Sequence, residues 1–447
     1  MHTLPVSKGL PYIGHMIDMG LRPLSFLIGL QQQYHPLVTV KVGAGAFTLI
    51  TEPALIEQIL VQQQRSFQKD SFLKVHANAV FGNGLLASDG DFWLRQRRMA
   101  QPAFHRARIA TYAAIMTHHG ATRLAQVPRG EWFDFHQMSI GMTLDIAADA
   151  LFSHLDKADL AGIAHSVAHV LTYFSGETPL DILGQIIHYN FNPQKYERYR
   201  AAVTVFDEVI TRLITARRAS TEPAHDLLQM LIDARDDQDQ PMSDRQLLDE
   251  CKTMFLAGHE TSALSLSWTI WLLSTHPELQ ARAAAEVAAV IGTRTPVVED
   301  VAQLPFLDAV IRESMRLYPP AWVIQRETLT DVLLSHDGKT YTLPAHHDVL
   351  MSPAAMHRDP RWHTDPERFD PDRWTQGERT QLPKYAYFPF GGGPRLCIGQ
   401  AFAQLEVALV LAQCLQRGTW EVHPRQKVVA QPSITQRPKY GLKMRYR

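Results

Sequence analysis

Apolar residues recur at every second position near the two ends of the chain and at helical spacing between them. Val38, Val40 and Val42 precede Gly43-Ala44-Gly45, and Phe47, Leu49 and Thr51 follow it, so residues 36–52 predict a β-hairpin. Glu52-Pro53 opens a short helix predicted over 53–64, since the fixed φ of proline suits the first helical position and its missing N–H is not needed there. The apolar stretch from Phe72 to Leu86 is broken by glycines and fits no single element. Asp89-Gly90-Asp91 marks a turn and helix start ahead of Phe92 to Arg98. Helical patterning then holds over roughly 106–235. It is interrupted at Pro128-Arg129-Gly130, Gly176 to Pro179 and Thr221-Glu222-Pro223, and the charged run Asp233 to Asp239 reads as an exposed loop.

Ser243-Asp244-Arg245-Gln246 has the form of a capping box, and the helix it opens runs to about Thr275, where Pro277 stops it. At ~1.5 Å per residue such a helix is roughly 48 Å long, enough to cross the molecule. Phe306 to Tyr318 predicts a further helix, ended by Pro319-Pro320. Ser433 to Met444 predicts a second hairpin. The expected fold class is mainly α with small β-sheets (α+β).

The 447 residues are 45% hydrophobic and 20% charged, a balance that can bury a large core. No linker cuts the chain, so residues 1–447 are expected to form one domain without a fused reductase. A formal net charge of -1 gives no case for nucleic acid. Cys251, Cys397 and Cys414 are an odd number at no disulfide or zinc spacing, which suits a reducing compartment. Met1 to Lys8 offers no signal-like apolar core and no membrane-spanning run, so the expectation is a cytoplasmic protein without a membrane anchor.

Candidate chemistry gathers in a few places. Tyr387 to Gln400 is a glycine-rich loop braced by Pro389 and Pro394, and it leads into the apolar segment Ala401 to Leu415. Its glycines permit positive φ and close approach to a bulky planar partner. At a helix start the Cys397 sulfur meets unpaired N–H groups and the positive end of the dipole, which favour a thiolate, the form that binds iron. Arg395 supplies a cation for an anionic group at the edge of such a ligand. In the long helix, Ala257-Gly258-His259-Glu260-Thr261-Ser262 sets a glycine, an acid and a hydroxyl among Met254, Phe255, Leu256 and Leu264. Glycine costs about 1 kcal/mol there relative to alanine, so something other than helix stability accounts for it. Ala257 and Gly258 leave room for a flat ring system. Thr261 can bond the carbonyl four residues back or release it to a water and open a local groove.

Trp93 and Arg97 share a helix face, where an indole N–H and a guanidinium can reach one anion. Glu313 and Arg316 can pair at i, i+3, and if buried they need a third charged partner. His165 and His169 have the i, i+4 spacing of a zinc pair but lack the glutamate such a site needs. His118-His119 and His346-His347 read as solvated or hydrogen-bonded pairs.

Phe390-x-x-Gly393-x-x-x-Cys397-x-Gly399 resembles the haem-binding signature of the haem-thiolate monooxygenases, the cytochrome P450 family, in which the cysteine is the proximal iron ligand. Ala257 to Thr261 resembles the family's oxygen-activating motif, Trp93-x-x-x-Arg97 its propionate-binding helix and Glu313-x-x-Arg316 its buried ion-pair motif. For the third member of that group, Pro366-Glu367-Arg368-Phe369 competes with Phe369-Asp370-Pro371-Asp372-Arg373-Trp374. Counting back from Cys397 aligns Arg373 and leaves Arg368 a surface charge. The matches cover nearly the whole chain, in the family's order.

The resemblance implies a cytochrome P450 fold enclosing haem b, with Cys397 as its axial thiolate. It sets Phe390, Gly399, Ala257 and Gly258 against the haem, and Trp93, Arg97, Arg326 and Arg395 at its propionates. It makes Thr261 the holder of a catalytic water and Glu260 the feeder of protons from solvent, and it places Trp322, Val323 and Ile324 against substrate. The implied activity inserts one oxygen atom of O2 into a hydrophobic molecule such as a fatty acid or terpenoid. The chain shows no flavin or nicotinamide fingerprint, so electrons are expected from a ferredoxin or flavodoxin-type donor with its NAD(P)H reductase. The donor is expected to dock on a basic face near Arg395, Lys384 and Arg373. The rival readings are a hydrogen peroxide-driven peroxygenase, a haem sensor or carrier without turnover, and a zinc hydrolase on His165 and His169. The Glu260-Thr261 pair argues against the first.

Overall fold

The computed structural model describes residues 2–70, 74, 77–153, 155–174, 192–222, 224–375 and 382–447. Part of the irregular stretch predicted over 72–86, the break at 176–179 and Pro223 lie outside the described residues. In chain order, the strands that frame the site are β1 (Leu37–Val42), β2 (Gly45–Ile50), β3 (Phe67–Gln68), β4 (Ile324–Thr328), β5 (Asp348–Met351), β6 (Ala430–Pro432) and β7 (Gln436–Pro438). The helices that frame it are α1 (Gly90–Ala100), α2 (Phe135–Phe152), α3 (Asp244–Thr275), α4 (Pro305–Leu317) and α5 (Gln400–Arg417).

The 32-residue α3 is buried on every side, which is why its sequence shows no amphipathic stripe. Its first half carries Leu247, Leu248, Phe255 and Leu256 into a core shared with Phe81, Phe206 and Leu228. Its second half carries Leu266, Ile270 and Leu273 into a core shared with Met142, Ile146, Leu307 and Leu411. Each such fully buried side chain contributes roughly 1.5–3 kcal/mol, so the helix is gripped at both ends while Ala257, Gly258, Glu260 and Thr261 between them face a cavity. Only half of the expected capping box forms. Ser243 Oγ accepts from the Gln246 N–H at 3.2 Å, but the Gln246 amide donates to Glu250 at 2.8 Å and to the Asn83 carbonyl at 3.3 Å. The loop around Asn83 packs on this end of the helix and captures the side chain that would have closed the box.

The main sheet has the order β1-β2-β5-β4-β3. β1 and β2 form the predicted hairpin, in register Val42↔Gly45, with Gly43 at φ +60 in the turn. β2 runs parallel to β5, and β4 returns antiparallel, Ile324 facing Met351. This ladder fixes residues 324–326 at the cavity wall. The helix predicted over 53–64 is an α-helical turn, Pro53–Glu57, that widens into a π-helical turn, Gln58–Gln62. The C-terminal hairpin does not span the predicted 433–444: β6 lies ahead of that range, β6 and β7 pair around a turn at residues 433–435, and Gly441 at φ +65 turns the chain away. Lys443–Tyr446 then pairs with Trp420–Val422 instead. Among the described residues, no helix is long and apolar enough to cross a membrane.

Candidate active site

A cavity of about 1180 Å³ is bounded by α3, the loop ahead of α5, residues 320–326 and the turn between β6 and β7. Cys397 lies in its wall, as do Phe390 and Gly399 of the same loop and Ala257, Gly258, Glu260 and Thr261 of α3. The loop folds back on itself, with the Cys397 N–H donating to the Phe390 carbonyl at 3.0 Å and the Leu396 N–H to the Gly393 carbonyl at 3.0 Å. Gly391 at φ +73 and Gly393 at φ +64 adopt the positive φ expected, but close approach is to protein as well as to the cavity. A Cβ on Gly393, which sits at φ +64, would lie 1.9 Å from the Leu60 carbonyl oxygen of the π-helical turn, and one on Gly392 would lie 2.3 Å from the Tyr385 ring. These two make room for neighbouring protein, whereas a Cβ on Gly258 meets nothing within 4 Å and gives onto open cavity.

Cys397 is open to the cavity. Burial pushes its thiol up, and the Gly399 N–H and the Arg97 charge pull it down without prevailing. The helix start therefore does not by itself make the thiolate that the sequence suggested. Iron held by Cys397 would, because a coordinating thiol is deprotonated outright by the ion's charge. On α3, Thr261 Oγ donates to the Ala257 carbonyl at 2.7 Å, and the helix runs unbroken through this point, so no groove is opened. Glu260 is buried, and both it and Thr435 line the cavity. Burial raises its pKa above the ordinary carboxylate value, against the opposing pull of Arg437 and Thr435. His259, between the glycine and the acid, is pushed down to about 4 by burial and is neutral, its Nδ1 on the Phe255 carbonyl at 3.0 Å.

A cluster of cations lines one part of the cavity: Lys69, Arg97, Arg326 and Arg395. Arg395 pairs with Asp89 at 2.7 Å and lies 4.0 Å over the buried Trp93 ring, leaving its Nη1 buried without a partner. Arg326 is buried and bonds the Gln325 carbonyl at 2.7 Å. Arg97 and the Lys69 amine make no hydrogen bond among the described residues. Desolvation lowers all four, Lys69 most heavily, and the nearby acids Asp70 and Asp89 offset only two of the four charges. Unsatisfied buried donors with a surplus of two positive charges fit a planar group carrying two carboxylates, which is what haem presents beside an iron-binding thiol. Cys397 would hold the iron, and Arg97, Arg326, Arg395 and Lys69 would hold the propionates.

The sequence marks Asp89 only as a helix start and Lys69 only as a nearby cation, and neither is assigned to this cluster there. The helix does start after Asp89, but its carboxylate does not cap α1. It accepts from the Lys69 N–H at 3.0 Å and pairs with Lys74 at 3.2 Å and with Arg395. Both partners of this arrangement are too far apart in sequence to be paired by spacing alone.

Glu313 is fully buried and takes two 2.8 Å hydrogen bonds from Arg316, one of 3.2 Å from Arg373 Nε, one of 3.0 Å from Trp374 Nε1 and one of 3.0 Å from the Asp370 N–H. Arg368 is exposed and gives this network only its backbone carbonyl, 3.0 Å from Arg316. The basic docking face expected near Arg373, Arg395 and Lys384 is not formed by these three. Arg373 is buried under α4 and Arg395 is turned inward to Asp89, which leaves Lys384 alone exposed. Trp322 is largely a core residue whose indole donates to the Ser433 carbonyl at 2.7 Å, and Val323 and Ile324 line the cavity beside it. His165 and His169 stack edge to face at 4.4 Å. Among the described residues, the single grouping with metal-ligand geometry is His35, Glu52 and His336, where Arg361 already lies 3.4 Å from Glu52 and bonds His35.

The family model for cytochrome P450 matches residues 4–444. The chain belongs to the cytochrome P450 family. It is similar to the cyclooctatin synthase of Streptomyces melanosporofaciens, with 35% identity over 95% of this chain and 90% of the relative. It is also similar to the cyclooctat-9-en-7-ol 5-monooxygenase of that organism, at 33% identity over 93% and 88%. The pentalenene oxygenase of Streptomyces avermitilis shares 30% identity over 93% and 90%. Among solved structures, the haem domain of cytochrome P450DA superposes with a TM-score of 0.87 at 25% identity, over 100% of this chain and 98% of that one. A retinoic acid-bound cyanobacterial P450 does so at 0.84 and 27%, over 100% and 99%. This P450 is a haem-thiolate monooxygenase that takes a hydrophobic substrate, O2 and electrons from a redox partner. When bound, the haem supplies the oxygen activation, and the protein binds, orients and protonates around it.

Proposed function

We propose that this P450 hydroxylates a terpenoid, fatty acid or similar lipophile, with a ferredoxin or flavodoxin-type protein and its NAD(P)H reductase as the electron source. The observation that carries the reading is a single apolar chamber on which Cys397, Thr261, Glu260 and the cation cluster all open. Its upper walls are Phe81, Leu85, Leu86, Val170, Leu171 and Phe174, side chains that offer a substrate burial and no charge. The relatives named for cyclooctat-9-en-7-ol and pentalenene put terpenoids first among the candidates. In this reading Glu260 gives up a proton, Thr261 holds the water that carries it, and Val323 and Ile324, with Trp322 behind them, orient the substrate. The chain acts as one haem domain over residues 1–447, in a reducing compartment such as the cytoplasm that suits its three free cysteines. Titration of the haem-loaded protein with terpenes, fatty acids and steroids tests it. A terpenoid that shifts the haem absorption band and is then converted, with 18O2 and a reductase system, to a product carrying one labelled oxygen supports the proposal. Conversion driven by hydrogen peroxide alone, with none from O2 and reductase, contradicts it.

A further inference from the structure

Residues 82–86 bring Leu85 and Leu86 to the chamber wall, and three buried side chains of α3 hold this strip from behind. Asp249 Oδ2 accepts from the Asn83 N–H at 2.9 Å, and Glu250 Oε2 accepts from the Leu85 N–H at 3.0 Å. The Gln246 amide donates to Glu250 Oε1 at 2.8 Å and to the Asn83 carbonyl at 3.3 Å. Positions 246, 249 and 250 share one helix face. The strip carries no side chain where it meets that face. Gly82 sits at φ +50, where a Cβ would overlap the Asp249 carboxylate, and a Cβ on Gly84 would overlap the Thr253 hydroxyl and lie 2.7 Å from the Asp249 carbonyl. Neither acid lines the chamber. Asp249 has Arg245 at 3.2 Å and Lys252 at 3.9 Å, whereas Glu250 meets no cation among the described residues. Burial pushes Glu250 up to about 7, against the pull of the Leu85 N–H and the Gln246 amide. A carboxyl buried without a counter-charge works against stability, so its presence is explained by the backbone it holds.

We propose that Glu250, with Asp249 beside it, is a positioning residue for substrate specificity: from behind the wall it fixes where Leu85 and Leu86 stand, and so which carbon of a hydrophobic substrate is presented for oxidation. This rests on the reading that these leucines face the substrate. The anchored N–H groups belong to residues 83 and 85 and the bare glycines to 82 and 84, so the strip lies flush on α3 and the leucines have one fixed depth. The same helix carries Thr261, roughly three turns beyond Glu250, and Thr253, Met254 and Leu256 between them line the same chamber. The wall and the hydroxyl at the oxidation site are thus mounted on one rigid element, and their separation is set within α3 rather than across the fold.

The test uses the haem-loaded protein and two probes that bind haem iron through a ring nitrogen: imidazole, which reports access to the iron, and 1-dodecylimidazole, whose alkyl chain also fills the chamber. Titration of the haem absorption band gives the ratio of their Kd values in wild type, Glu250→Ala, Glu250→Gln, Gly84→Ala and Leu85→Ala. Glu250→Ala removes the anchor of the Leu85 N–H, Gly84→Ala pushes the strip off α3 with every anchor present, and Leu85→Ala cuts the wall itself. All three weaken 1-dodecylimidazole relative to imidazole by about 10-fold, the order expected for contact with one large apolar side chain, and leave imidazole itself unchanged. Glu250→Gln keeps an oxygen for the Leu85 N–H and stays near the wild-type ratio. In turnover with a substrate found in the screen above, the same three variants redistribute the product among carbon positions and Glu250→Gln does not. A merely structural loss moves both Kd values together. If Glu250→Ala yields no folded protein, Gly84→Ala decides alone. If Leu85→Ala lowers the ratio while the folded Glu250→Ala and Gly84→Ala variants keep the wild-type value, the acids only support the fold and the inference is wrong. If Leu85→Ala leaves the ratio unchanged, the leucines do not meet the ligand and the inference falls with them. The probe ratio reads the wall whatever the substrate, so a screen in which no terpenoid is converted overturns the terpenoid proposal and not this one.

Discussion

Glu313→Gln is the substitution with the largest expected cost outside the chamber. The carboxylate sits at full burial between Arg316 and Arg373 and accepts five hydrogen bonds, counting those from Trp374 and the Asp370 backbone. The amide keeps the shape but cancels the charge, so two guanidiniums are left buried without an anion. Removing one partner of a buried, hydrogen-bonded ion pair costs about 3–5 kcal/mol, far more than the pair is worth against an apolar replacement. Arg368→Met is the control: its side chain is exposed and only its carbonyl is used, so it changes stability by no more than about 0.5 kcal/mol. Arg373→Met falls between the two, at about 2–3 kcal/mol, because Arg316 still pairs with the carboxylate. Chemical denaturation of the haem-loaded proteins, followed by far-ultraviolet circular dichroism, gives all three. The pH dependence has a fixed sign. Burial pushes Glu313 up, but the Arg316 hydrogen bonds and charge, with Arg373, bring it below its ordinary value of 4.5. A carboxylate so depressed stabilises the fold above pH 4.5, and that stability is lost as the pH falls through the lower folded value, so the gap between wild type and Glu313→Gln narrows in acid. Equal stability of Glu313→Gln and wild type at neutral pH, or a larger loss in Arg368→Met than in Arg373→Met, refutes the reasoning.

Other outcomes follow from the same geometry. Gly393→Ala forces a Cβ against the Leu60 carbonyl at φ +64 and disrupts the loop that presents Cys397, so haem content of the purified protein falls sharply. Gly258→Ala meets no protein atom and gains up to about 1 kcal/mol of helix propensity, yet it narrows the cavity where haem lies and weakens haem retention; unfolding of the haem-free protein and haem content report the two effects separately. Arg395→Ala removes the Asp89 pair and the cation over Trp93, and haem transfer to an acceptor protein accelerates by about 10-fold or more. Thr261→Val deletes the hydroxyl that would place a water and raises peroxide release at the expense of product, whereas Thr261→Ser largely keeps the ratio.

What the sequence makes legible follows from how local the physics is. The long helix shows itself because its cap, its length and its proline stop all lie within one segment, and the β1–β2 hairpin because period-2 residues flank a glycine turn. The Cys397 loop is legible for the same reason: its parts stand within a dozen residues. Pairings closed by the fold leave no such trace. Asp89 answers Arg395 across the chain, and the sequence offers only an ordinary polar residue in a turn. The glycines mislead in an instructive way. Glycine frequency announces close approach, but only the structure tells that Gly392 and Gly393 are crowded by Tyr385 and Leu60 while Gly258 faces open space. The docking face fails because exposure cannot be read from charge: Arg373 and Arg395 are cations spent on the interior.

The central claim is that Cys397, open to the chamber that Thr261 and Glu260 share, ligates haem iron as a thiolate. The most direct measurement is the absorption spectrum of the reduced, carbon monoxide-treated protein, taken for wild type and for Cys397→Ser. The account predicts a strongly red-shifted Soret band in wild type, the mark of thiolate ligation, and its absence in the serine variant. A wild-type band at the position given by histidine-ligated haem, or a red-shifted band that survives in Cys397→Ser, contradicts it.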